Sequence, residues 1–242
     1  MTYIVTGYYG SGKTEFVLNL AAALARGAGG YKPPLQHQHA CSVGANCVRP
    51  QLPVTIADLD VINPFFRSRE RAKELAPLGI QVMGSVFENH VAQDIPALSF
   101  AFLSRIRSNQ NVIIDLAGGE NGLKLLAGCY DAIGAHEFLC VLNLYRPETD
   151  SAAKMADFCK QINAFSRIPI TGLVNNGHML GFTETGHILE SQKAVLEVAK
   201  ELGVPLKYTL AQENIYKEIS QVIVSEKVLT FPTPQMRENW QM

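Results

Sequence analysis

The sequence predicts an α/β fold: a mostly parallel, doubly wound sheet of about seven strands with helices on both faces, in three α/β/α layers. Three observations predict it. Short apolar runs alternate with amphipathic stretches along nearly the whole chain. The runs are continuously apolar, as parallel strands covered on both faces must be. Each helical stretch separates two such runs, and a strand–helix–strand order of that kind closes into right-handed crossovers within one sheet.

The strand-like runs are Tyr3–Thr6, Val54–Ala57, Gln81–Met83, Val112–Ile114, Phe138–Leu144, Ile168–Val174 and Pro205–Leu210. Phe16, Val17, Leu20 and Leu24 form the first helical stripe, with Gly27 as its stop. Asp94 can cap a helix carrying Ile95, Leu98, Phe102 and Ile106 on one face. Thr149 can cap another that carries Met155, Phe158, Ile162 and Phe165. Val195, Val198, Ala199 and Leu202 line a further helix, stopped by Gly203. Residues 27–53 break this rhythm, with four glycines, four prolines and no acidic residue, and read as an irregular insertion. No linker divides the chain, so residues 1–242 read as a single domain.

Composition narrows the class. The 242 residues are 47% apolar and 18% charged, with a formal charge of −1, which excludes a disordered or collagen-like chain. There is no basic excess to suggest a nucleic-acid or anionic-membrane surface. No apolar run is long enough to span a bilayer, and the first residues lack the charged start of a secretory signal. Cysteines number five, and Cys129, Cys140 and Cys159 lie in apolar stretches as reduced, buried groups. A cytoplasmic location is expected.

The chemistry begins at the amino end. Gly7-Tyr8-Tyr9-Gly10-Ser11-Gly12-Lys13-Thr14 fits G-x-x-x-x-G-K-[ST], directly after the first strand and before the first helix. Glycines let successive backbone N–H groups turn inward around an anion, and the helix start adds the positive end of its dipole. Lys13 is placed for the β- and γ-phosphates of a nucleotide and the Thr14 hydroxyl for Mg²⁺. A second carboxylate is then needed at the end of another strand. Asp115 fits the metal side, with the Gly118–Gly119 backbone next to the γ-phosphate. In Ala57-Asp58-Leu59-Asp60, alternation puts Asp58 and Asp60 on one side of an extended chain, where one assists the metal and the other orients water.

Together these elements resemble the CobQ/CobB/MinD/ParA group of P-loop proteins, within the class that holds the nickel-insertion GTPases of hydrogenase and urease maturation. The resemblance is to MinD-like ATP-binding proteins of bacteria, through residues 9–16, 58–70, Asn143-Leu144-Tyr145-Arg146-Pro147 and Thr171–Asn176. It implies a Mg²⁺-dependent ATPase that switches a partner protein, with homodimerisation open. Lys13, Asp60 and, behind it, Asp58 would be catalytic; Gly7 to Thr14, Gly118, Gly119, Asn175 and Asn176 would bind nucleotide; Thr14 and Asp115 would hold Mg²⁺. Tyr8 departs from the group, which places a signature lysine there, so the lysine-swapping dimer is not implied. The chain's last residues also lack the basic amphipathic helix with which MinD docks on membranes.

GTPases of the class read guanine with Asn-Lys-x-Asp, whereas this chain has Asn175-Asn176-Gly177-His178. An Asn amide offers both a donor and an acceptor, which suits adenine. The resemblance makes Asn176 the adenine contact, near Gln212–Asn214, and favours ATP. Arg67, Arg69, Arg71 and Arg146 are open between reading phosphate or a partner and lying on a solvated surface.

Two other functions stay open. His37, His39, Cys41 and Cys47 offer soft donors for zinc or nickel, which would make the chain a nucleotide-gated metallochaperone. A small-molecule kinase or amide ligase of the dethiobiotin-synthetase-like kind is the other.

Overall fold

The computed structural model describes residues 1–26, 53–59, 68–84, 100–107, 110–223 and 227–230. Its strands are β1 Thr2–Gly7, β2 Val54–Leu59, β3 Ile80–Gly84, β4 Asn111–Leu116, β5 His136–Leu142, β6 Gly172–Asn175, β7 Leu206–Ala211 and β8 Lys227–Thr230. The helices are α1 Lys13–Ala25, α2 Ala72–Leu75, α3 Phe100–Arg107, α4 Glu120–Ala127, α5 Ala152–Phe165, α6 Thr185–Leu202 and α7 Tyr216–Val222. The strands form one sheet in the order β3-β2-β4-β1-β5-β6-β7-β8, and every pairing is parallel.

Alternate residues of each strand enter different cores, so continuous apolar runs were the right signature. Tyr3 and Val5 face α1, packing with Phe16, Val17, Leu20 and Leu24. Ile4 faces the opposite layer, where Leu123 and Leu126 of α4, Met155 and Phe158 of α5, and Val195 and Val198 of α6 cover the sheet. A smaller core joins Ile188, Ala211, Ile219 and Ile223. From β1 the chain moves one way to β2 and β3, returns to β4, then crosses β1 to β5. The carboxyl end of β1 therefore sits where the strand order reverses, the usual crevice of such sheets.

Several boundaries differ from expectation, each for a local reason. The eighth strand, Lys227–Thr230, holds only two apolar residues, Val228 and Leu229, too few to announce it as an apolar run. The ladder expected from Ile168 starts at Gly172, because Pro169 has no N–H and the Ile170 N–H is taken by Asn163 Oδ1 at 2.8 Å. β5 stops at Leu142, since Asn143 turns the chain by accepting from the Tyr145 N–H at 3.0 Å. Ser151 rather than Thr149 caps α5; the Thr149 hydroxyl instead donates to the Asn143 carbonyl at 2.7 Å. Ser151→Ala is accordingly expected to cost about 1 kcal/mol in urea unfolding, the ordinary loss of such a cap. Phe165 ends α5 in solvent, 59% exposed. Gly203 does stop α6, in the left-handed conformation at φ 68°. Gly27 and Asp94 lie outside the described residues.

Cys129, Cys140 and Cys159 are free and buried. Burial pushes the Cys129 thiol up to about 12. The Cys140 thiol, 3.8 Å from that of Cys159, is pushed up by this contact and then by burial. Cys129 and Cys140 are therefore protonated, unreactive groups at neutral pH. Among the described residues, no helix is long and apolar enough to cross a membrane.

Candidate functional site

The segment from Gly7 to Thr14 joins the mid-sheet strand β1 to α1, so its position is fixed by the two elements that bury most around it. Gly12 is the N-cap of α1, at φ 83° and ψ 29°, with no side-chain cap for the N–H groups that open the helix. A side chain there would be strained and would strike the amide nitrogen of Asn176. The Ser11 N–H donates to the Tyr8 carbonyl at 3.1 Å, closing the loop on itself. Lys13 is 6% exposed; its Nζ donates to the Tyr8 carbonyl at 3.1 Å and lies 5.8 Å from the Tyr9 ring centre. The result is a backbone cradle with uncapped helix N–H groups and one ammonium across its mouth, the arrangement that suits a polyphosphate.

Gly118 closes the other side. A Cβ there would lie 3.2 Å from the Gly7 carbonyl and 3.5 Å from Lys13 Nζ, so this backbone comes close to the loop. Asp115 stands at the end of β4, 1% exposed. Its Oδ2 accepts from the Thr14 hydroxyl at 3.1 Å and from the Ser68 hydroxyl at 2.8 Å. Asp58 is in register with Asp115 on the neighbouring strand. Its Oδ2 accepts from Arg69, through Nε at 3.3 Å and the backbone N–H at 3.4 Å. The structure thus brings together Lys13, Thr14, Asp115, Gly118 and Asp58. Asp60 and Arg67 lie outside the described residues, as do His37, His39, Cys41 and Cys47.

The two asparagines at the end of β6 separate. Asn175 is fully buried; its amide donates to the Ile188 carbonyl at 3.2 Å and accepts from Gly177 N–H at 3.1 Å and Ser191 Oγ at 2.8 Å. These bonds tie β6 to α6 and leave no edge of Asn175 for a base. Asn176 reaches the loop instead, donating to the Ser11 carbonyl at 2.7 Å, while its Oδ1 has no partner among the described residues. His178 accepts the Leu180 N–H on Nδ1 at 3.0 Å, which assigns the neutral ring's proton to Nε2. Gln212 ties the same loop down through the Leu180 carbonyl at 2.8 Å.

Among the arginines, Arg146 touches the loop, its Nε donating to the Gly10 carbonyl at 2.8 Å. Arg69 serves Asp58, and Arg71 pairs with Glu74 on its own turn at 2.9 Å. Beside Arg146, the Tyr145 phenol is pushed well up by burial and by its bond to Glu190. Tyr8 packs edge-on against Phe158, with ring centres 5.5 Å apart. Ser68 is the residue that sequence reasoning missed; its only signal was its place just beyond the aspartate pair. Among the described residues, no three His, Cys, Asp or Glu side chains cluster to hold a metal.

The sequence matches no family model and no curated protein. Among solved structures it is similar to the signal recognition particle receptor FtsY of Elizabethkingia anophelis in complex with GDP. The TM-score there is 0.53 and the identity 19%, over 86% of this chain and 56% of that one. It is likewise similar to the cell division protein FtsY of Thermotoga maritima, with TM-score 0.53 and 20% identity over 86% of this chain and 60% of that one. The chain therefore spans less than two thirds of the length of either. At such identity the likeness speaks for architecture alone: this is the three-layer α/β/α fold of P-loop NTPases.

Proposed function

We propose that the protein binds MgATP and hydrolyses it slowly, as a switch for a partner protein. The Thr14–Asp115 hydrogen bond carries this reading. It joins the loop hydroxyl to a strand-end carboxylate 101 positions away, and a merely structural glycine turn has no need of that pairing. Residues of these types fit Mg²⁺, a hard cation that takes oxygen ligands and keeps several waters. Thr14 would hold it, with Asp115 acting through water; bound there, Mg²⁺ would offset charge on the β- and γ-phosphates.

The chain's own residues do the rest by positioning and charge. The backbone N–H groups of Gly10, Gly12, Lys13 and Thr14 bind the β-phosphate. Lys13 moves from the Tyr8 carbonyl to the phosphates, and the Gly118 backbone faces the terminal one. With Asp58 engaged by Arg69, the role of orienting water falls to Asp60.

Base choice follows from hydrogen-bond sense. Guanine presents two donors on its Watson–Crick edge and so requires an acceptor such as a carboxylate. The β6 end offers Asn176, whose amide carries both a donor and an acceptor, which suits adenine. A thermal-shift panel of ATP, ADP and GTP with and without Mg²⁺ tests the reading. ATP with Mg²⁺ should give the largest rise in melting temperature and GTP at most a small one. A larger rise with GTP would reverse the base assignment, and no rise with any of the three would refute nucleotide binding.

A further inference from the structure

Two hydroxyls converge on a single oxygen of Asp115. Thr14 approaches from the start of α1 and Ser68 from the 3-10 turn Ser68–Arg71 that follows β2. Ser68 is fully buried and makes the shorter bond of the two. Its neighbour in sequence, Arg69, engages Asp58, the carboxylate in register beside Asp115. One short turn therefore handles two adjacent carboxylates in different ways. Asp58 receives a cation, which offsets its charge. Asp115 receives hydroxyl hydrogens, which orient a carboxylate without cancelling its charge. Mg²⁺ demands near-ideal octahedral geometry, so a carboxylate that serves it through water must be held in one orientation.

We propose that Ser68 is a positioning residue of the Mg²⁺ site, fixing Asp115 Oδ2 jointly with Thr14. This rests on the nucleotide-binding reading above and adds to it a residue outside the phosphate loop. Outer partners of this kind typically change metal affinity by about 10- to 100-fold when removed. The Ser68 hydroxyl is thus tied to the metal rather than to the nucleotide.

The test is a titration of MgCl₂ into protein held with saturating ATP, read as melting temperature, with a parallel ATP titration in EDTA. Ser68→Ala should raise the Mg²⁺ concentration at half-maximal shift about tenfold and leave the EDTA titration unchanged. Ser68→Thr, which keeps the hydroxyl, should return the midpoint to within about twofold of wild type. Should the alanine variant fail to fold, Ser68→Cys, similar in size but a weak donor, should raise the midpoint in the same direction. An unchanged midpoint in the variant that folds overturns the proposal. So does an equal loss with and without metal, the mark of a merely structural role. If wild type itself shows no shift with ATP, the nucleotide reading fails and takes this inference with it. If wild type responds to MgATP and Ser68→Ala responds identically, only the role of Ser68 fails.

Discussion

Lys13→Ala is expected to erase the stabilisation that ATP confers while leaving the unliganded fold nearly as stable as before. A ligand that binds only the folded state, present at 1,000 times its dissociation constant, stabilises by about 4 kcal/mol. In a domain of this length each kcal/mol is worth roughly 2–4 °C, so the wild-type shift should be about 8–16 °C. Lys13 is the cation that the loop itself supplies, and it is held within reach of the cradle by the Tyr8 carbonyl and the Tyr9 ring. Without ligand, its removal loses the hydrogen bond to the Tyr8 carbonyl, of order 1–3 kcal/mol for a charged donor, and relieves the burial of an ammonium. The two effects oppose each other, so the unliganded melting temperature should move by only a few degrees. A variant that retains the full ATP shift would refute the assignment of this loop to phosphate.

Gly12→Ala should remove binding by a different route and cost stability as well. The position is left-handed at φ 83°, where an L side chain costs roughly 1–2 kcal/mol. The new methyl would also displace the Asn176 amide from the Ser11 carbonyl, breaking a bond worth about 1 kcal/mol. Gly79 separates the two contributions. It is also left-handed, at φ 75°, but its Cβ would meet nothing within 4 Å. Gly79→Ala should therefore show the conformational cost alone and keep full ATP binding. Gly12→Ala should be destabilised more in urea and show no ATP shift. Equal losses in the two variants would mean that the approach of Asn176 to the loop is unimportant.

What could be read from the residues was whatever repeats or sits in a fixed motif. Continuous apolar runs announced the strands because both faces of this sheet are covered, as the split of Tyr3 and Val5 from Ile4 shows. The glycine-rich loop and Asp115, which the structure brings together, stood out because a motif of this kind fixes residue types at strand ends. Less legible was anything decided by competition between similar groups. Thr149 and Ser151 are both able caps, and the nearby Asn143 carbonyl decides between them. Asn175 and Asn176 are identical side chains, separated only because consecutive strand residues face opposite ways, one toward α6 and one toward the loop. Ser68 lay inside the 58–70 stretch that carried the resemblance, but a single serine 47 positions from Asp115 has no pattern that assigns it a role.

The place of β1 in the sheet has one more consequence. Among the described residues it is the fourth of eight strands, so three lie on one side of it and four on the other. Peripheral strands open first in native proteins, while central ones come apart only with the whole molecule. Fraying at β3 or β8 must therefore unzip strand after strand before it reaches the strand from which the Gly7–Thr14 loop springs. Breathing at the margins is thereby kept mechanically apart from the loop at the centre.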